Sequence, residues 1–102
     1  MNAMPKFMVR VVLHDAETPE QYKRLDAAMR AKGFSQALVG KKAAYQLPCG
    51  EYWYRGDTTA SDVRMVASAA AERTGQGFGI IVVKVDGWSV MGLKKSAASA
   101  SE

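Results

Sequence analysis

Three kinds of residue along this chain are able to do chemistry. Arg10, Trp53, Arg55 and Lys84 combine cations with an indole, His14 and Asp15 set an imidazole beside a carboxylate, and Cys49 is the sole thiol. The stretch LPCGEYWYRGD, residues 47–57, gathers three aromatics, that thiol and an Arg-Gly-Asp triplet. Cations beside an exposed indole suit single-stranded nucleic acid. The ring stacks on a base, at about 1–3 kcal/mol per base, and the cations meet phosphates. An imidazole beside a carboxylate suits proton transfer near neutral pH, and the carboxylate suits a divalent ion. One Asp–His pair falls far short of a metal site, and a loop aspartate serves equally to cap a turn. One cysteine and one histidine in 102 residues argue against structural zinc and allow no internal disulfide. No cofactor is therefore expected beyond a divalent ion at Asp15. Cys49 is expected as a small buried or half-buried residue, with no second histidine to activate it.

Whether these groups meet depends on the elements that carry them. Phe7–His14 reads as a first strand, with Phe7, Val9, Val11 and Leu13 on one face and Met8, Arg10, Val12 and His14 on the other. Thr18-Pro19-Glu20-Gln21 predicts a helix start: a cap, a proline at the first helical position and a capping-box glutamine. Tyr22, Leu25, Ala28 and Met29 form its apolar stripe, and Gly33 ends it. Ser35–Val39 is a second strand, and Gly40-Lys41-Lys42 a turn. Ala43–Arg55 is extended again but interrupted at Pro48, which removes a ladder donor. A second helix starts at Thr59 or Asp57 with an alanine-rich stripe, and Phe78–Val85 is the most strand-like run. Asp86-Gly87 predicts a two-residue hairpin returning as Trp88–Leu93.

The order is β-α-β-β-α-β with an extra C-terminal hairpin strand. It predicts an α+β, ferredoxin-like domain over residues 5–95, in which two helices cover one face of an antiparallel sheet. Ser96–Glu102 is expected as a disordered Ala/Ser tail. Alternation then places Tyr52 and Tyr54 toward the helices and Trp53 and Arg55 away from them, near Arg10 and with Lys84 extending the surface. The same open face carries Met8, Val12, Ile80, Val82 and Met91. Such a patch also fits a protein–protein seam, so a homodimer is expected as a partner alongside single-stranded RNA.

Composition narrows the class. The net charge of +4 permits an acidic partner without requiring one. No apolar run approaches the roughly 20 residues of a membrane helix. MNAMPKFMVRVVL lacks a signal-peptide pattern, and a lone thiol fits a reducing cytoplasm. Gly75, Gly77 and Gly79 precede a strand rather than a helix, so they are no dinucleotide fingerprint. Arg55-Gly56-Asp57 reads as a coincidental match to an integrin tripeptide.

The layout VRVVLHDA, EQYKRLDAAMRAKGFS, YQLPCGEYWYRGD and SDVRMVASAAAERTG resembles small bacterial and phage proteins grouped with the type V toxin–antitoxin endoribonuclease antitoxins. The resemblance spans about residues 6–93. It implies a ferredoxin-like, cytoplasmic RNA-binding regulator, with weak single-strand endoribonuclease activity as its enzymatic form. In related CRISPR nucleases an aspartate ends the first strand, and Asp15, with His14 beside it, occupies the comparable place.

Overall fold

The computed structural model describes residues 4–15, 18–39 and 43–95. The proposed Gly40-Lys41-Lys42 turn and the Ser96–Glu102 tail lie outside the described residues. Among the described residues seven elements follow one another: β1 (Lys6–Leu13), α1 (Pro19–Ala31), β2 (Ala37–Val39), β3 (Ala44–Gln46), β4 (Glu51–Arg55), α2 (Ala60–Glu72) and β5 (Phe78–Lys84). This is a mixed α+β chain with two helices and antiparallel sheets.

Local chemistry accounts for most boundaries. The Gln21 side-chain oxygen accepts from the Thr18 N–H at 3.2 Å, closing that half of the capping box at the start of α1. Gly33, at φ 92°, lets the chain leave α1, and the Phe34 N–H donates to the Met29 carbonyl at 3.1 Å. Of the two caps offered by sequence for α2, Thr59 is used: its hydroxyl accepts from the Asp62 N–H at 3.1 Å.

The break at Pro48 separates β3 from β4. Gly50 there has φ 83°, and a Cβ on it would lie 2.7 Å from the Val11 carbonyl oxygen. Only glycine allows the turn to press this closely on β1. Because of the break, β2 and β3 form their own two-stranded ribbon, while the main sheet runs β4-β1-β5, antiparallel throughout. A single antiparallel bridge, Ser35 to Trp53, ties the start of the β2 segment to β4.

Both faces of the main sheet carry a core. Toward the helices, Phe7, Val9, Val11 and Leu13 pack with Leu25, Met29, Tyr52, Val63, Ala67 and Ala70. The alanines of α2 bring its backbone close to the sheet. On the opposite face Leu38, Leu47 and Trp53 form a smaller cluster, joined by Met8, Val85 and Val90.

That second cluster corrects the expected extra strand. Trp88–Leu93 does not return along β5; among the described residues after β5 the only strand-type pairing is one bridge from Lys95 to Tyr45, beside a bond from the Gln46 N–H to the Lys94 carbonyl at 2.8 Å. After β5 the chain instead forms a strap from Val85 to Lys95 that reaches β3. Burying Val85 and Val90 against Trp53 and Leu38, with Trp88 edge-on to Trp53, outweighs a local turn preference.

Candidate functional site

The sheet face turned away from the helices holds most of the residues singled out from sequence. Cross-strand register defines it. Met8 pairs with Trp53 on one side and Val83 on the other; Arg10 pairs with Glu51 and Ile81; Val12 pairs with Gly79. Lys6 and Arg55 are partners at one end of the same face.

Trp53 points away from the helices, as alternation requires, but it is only 7 % exposed. Its ring meets Trp88 edge-on at a centroid distance of 6.3 Å. The expected stacking platform is therefore covered by the protein's own strap. The energies favour this outcome. Burying the 150–250 Å² of a tryptophan is worth about 4–6 kcal/mol. One stacked base returns about 1–3 kcal/mol.

Lys84 also departs from expectation. It pairs with Phe7, whose side chain is in the helix-side core, so Lys84 belongs to that side and does not extend the surface of Arg10. The same register moves Ile80 and Val82 into the helix-side core and puts Ile81 and Val83 on the open face. There they stand 60 % and 50 % exposed, next to Val12 at 43 %. The open face is thus divided: one half lies under the strap, and the other presents three bare aliphatic side chains with the exposed Arg10 among them. Positive charge also gathers elsewhere, where Arg24, Lys32 and Arg73 border an alanine-floored groove on the helical side.

His14 and Asp15 close β1 in a turn. The His14 N–H donates to the Gly77 carbonyl at 2.7 Å. A Cβ on Gly77 would lie 3.3 Å from His14 Nδ1, and one on Gly79 would lie 3.8 Å from Nε2. Gly77 therefore leaves room for the imidazole, a role that spacing alone did not suggest, whereas the distance at Gly79 is an ordinary contact. Asp15 has φ 58°, a left-handed conformation unusual for a residue with a side chain. Among the described residues, no group of three or more histidine, cysteine, aspartate or glutamate side chains is arranged to hold a metal ion.

A polar network that sequence reasoning missed lies on the other side of β4. The Tyr52 hydroxyl donates to Asp26 Oδ1 on α1. Burial raises the Tyr52 pKa far above the usual phenol value, followed by that hydrogen bond and then by the charges of Asp26, Cys49 and Tyr22. The Tyr22 hydroxyl accepts from the Leu13 N–H at 3.0 Å. Cys49 is exposed rather than buried or half-buried, because the Pro48–Gly50 turn carries it outward. Partial desolvation of its sulfur, and after it the Asp26 charge, raises the thiol pKa. A raised pKa keeps Cys49 protonated and weakens it as a nucleophile.

Among the described residues, no helix is long and apolar enough to cross a membrane. Compared with known proteins, the chain matches no protein-family model and no curated protein.

Proposed function

We propose that this chain is a non-enzymatic interaction module that self-associates through the bare half of its sheet. One observation carries the reading: Val12, Ile81 and Val83 stand side by side on one face, each about half exposed. Flat aliphatic surface of this kind gains stability when a partner removes it from water. We read the fold as a variant of the ferredoxin-like plan. The element order and the Ser35–Trp53 bridge support this, with β2 and β3 swung away as a separate ribbon.

A second reading, a cytoplasmic single-stranded RNA regulator of antitoxin type with weak endoribonuclease activity, is favoured by a different observation. Arg10 on β1 and His14 just beyond its end share this exposed face, with Lys6 and Arg55 at the opposite end. Light scattering of the eluting protein, at low and high salt and with or without a uridine/adenine-rich oligonucleotide, separates the two. The module reading expects twice the chain mass, insensitive to salt and oligonucleotide. A monomer at every concentration that binds the oligonucleotide, and loses it as salt rises or on Arg10→Ala, replaces it with the RNA reading.

A further inference from the structure

We propose that the partner is a second copy of this chain, added antiparallel to the free edge of β5 with Ile81 at the two-fold axis. The inference rests on the self-association reading and specifies its contact.

Backbone alternation carries the argument. β1 directs the peptide groups of its odd-numbered residues to β4, as in the 2.8 Å bond from the Val11 N–H to the Gly50 carbonyl. Its even-numbered residues bond toward β5: the His14 N–H donates to the Gly77 carbonyl at 2.7 Å, and the Val85 N–H to the Lys6 carbonyl at 2.8 Å. Antiparallel ladders alternate strictly, so odd-numbered residues of β5 face β1. The N–H and C=O groups of Phe78, Ile80, Val82 and Lys84 therefore point outward, and no hydrogen bond among the described residues reaches them. Trp88–Leu93, expected from sequence to return beside β5 as a hairpin strand, leaves this edge for β3. Long apolar strand edges are usually blunted by proline, bulges or charge. β5 contains no proline and only a terminal lysine.

The edge is self-complementary. Pairing Ile81 with Ile81 of the second copy sets Ile80 opposite Val82 and Phe78 opposite Lys84. All four outward donors and acceptors of each copy are then used. A shift by two residues leaves groups at the strand ends unpaired. Val83 comes to stand opposite Gly79, which has no side chain to obstruct it. The two Ile81 side chains, the most exposed of the three aliphatic side chains on the face, meet directly. Lys84 is the only charge in the strand, and the two lysines lie at opposite ends of the ribbon, with their stems along Phe78. The bare halves of both sheets join into one continuous surface.

Cysteine cross-linking in the full chain tests this, with Cys49→Ser removing the exposed native thiol. Directly opposed residues of a non-hydrogen-bonded pair lie about 4.5 Å apart at Cα, within disulfide reach. Ile81→Cys is expected to oxidise to a covalent dimer, and Val83→Cys, which faces Gly79, to do so far less. Ile81→Lys is expected to keep the far-ultraviolet circular dichroism of the fold, because Ile81 is 60 % exposed in the single chain. In the dimer it sets two like charges directly opposite each other and weakens association about tenfold or more. A dimer by light scattering that Ile81→Cys does not trap, or that Val83→Cys traps as well, overturns the edge pairing but leaves the module reading standing. A monomer at every concentration overturns both.

Discussion

On the face away from the helices, Met8 has two register partners with opposite fates. Trp53, on the β4 side, lies beneath the strap with Leu38, Val85 and Val90, whereas Val83, on the β5 side, is half exposed. The boundary between covered and bare surface runs along β1. Both neighbours are apolar and both point the same way, so side-chain direction does not separate them. The path of the chain after β5 does. The strap is long enough to cover one half of the sheet, and it covers the half that holds the larger aromatic. The sheet then has a structural half, where substitution costs stability, and a free half, where substitution changes association.

Trp53→Ala breaks that contrast most severely. It removes the centre of the second cluster, and large-to-small changes at buried aromatics cost about 3–5 kcal/mol. Denaturant unfolding is the measurement; a loss under 1 kcal/mol would mean the strap does not bury the ring. The same point is read optically in Trp88→Phe, where fluorescence of Trp53 is expected to resist a soluble quencher.

Tyr52→Phe probes the other side of β4, where the phenol donates to Asp26. A hydrogen bond to a charged acceptor contributes about 1.5–3 kcal/mol at neutral pH. The pH dependence sharpens the test. The folded-state pKa of Tyr52 is raised, so the unfolded chain ionises first, near pH 10. The contribution of Tyr52 is complete below that pH and falls above it, at up to about 1.4 kcal/mol per pH unit. Tyr52→Phe should lack this part of the alkaline slope. Parallel wild-type and variant slopes above pH 10 would show that the hydroxyl is not held protonated.

Much of this arrangement is legible in the sequence, and the parts that are not have specific causes. Thr18, Pro19, Gln21 and Gly33 are local signals, and α1 begins and ends where they place it. Alternation along β1 and β4 correctly sends Arg10 and Trp53 away from the helices and Tyr52 toward them. β5 is different. Its run FGIIVVK is apolar at nearly every position, so it carries no period-two contrast. A reading displaced by one residue exchanges Ile80, Val82 and Lys84 for Ile81 and Val83. The burial of Trp53 was hidden for another reason. It depends on residues more than thirty positions later, and Asp86-Gly87 is locally a better hairpin than a crossover. The Asp26–Tyr52 contact joins a helix to a strand and leaves no spacing pattern to find.

Trp88→Ala tests the strap at its margin. Trp88 is partly exposed and meets Trp53 edge-on, a geometry worth about 0.5–1.5 kcal/mol beyond buried area. A total loss of about 1–2 kcal/mol is expected, along with freer access of quencher to Trp53. No change in either would place the cover of Trp53 on Leu38, Leu47, Val85 and Val90 without Trp88.

The smallest stability effect belongs to the bare half. Ile81→Thr and Val83→Thr keep β-branched side chains, which suit a strand, and both sites already face water. At a chain concentration low enough that the wild type is a single chain, exposed substitutions of this kind stay within about 0.5 kcal/mol. Removing two aliphatic surfaces from the shared edge should nevertheless lower the mass seen by light scattering toward that of a single chain. A residue that matters for fold loses stability and association together; one that matters only for docking loses association alone. Ile81 and Val83 are expected to show that dissociation of effects, and Trp53 is not. Unfolding curves that fall for the threonine variants as they fall for Trp53→Ala would mean that the two halves of the face are not distinct in kind.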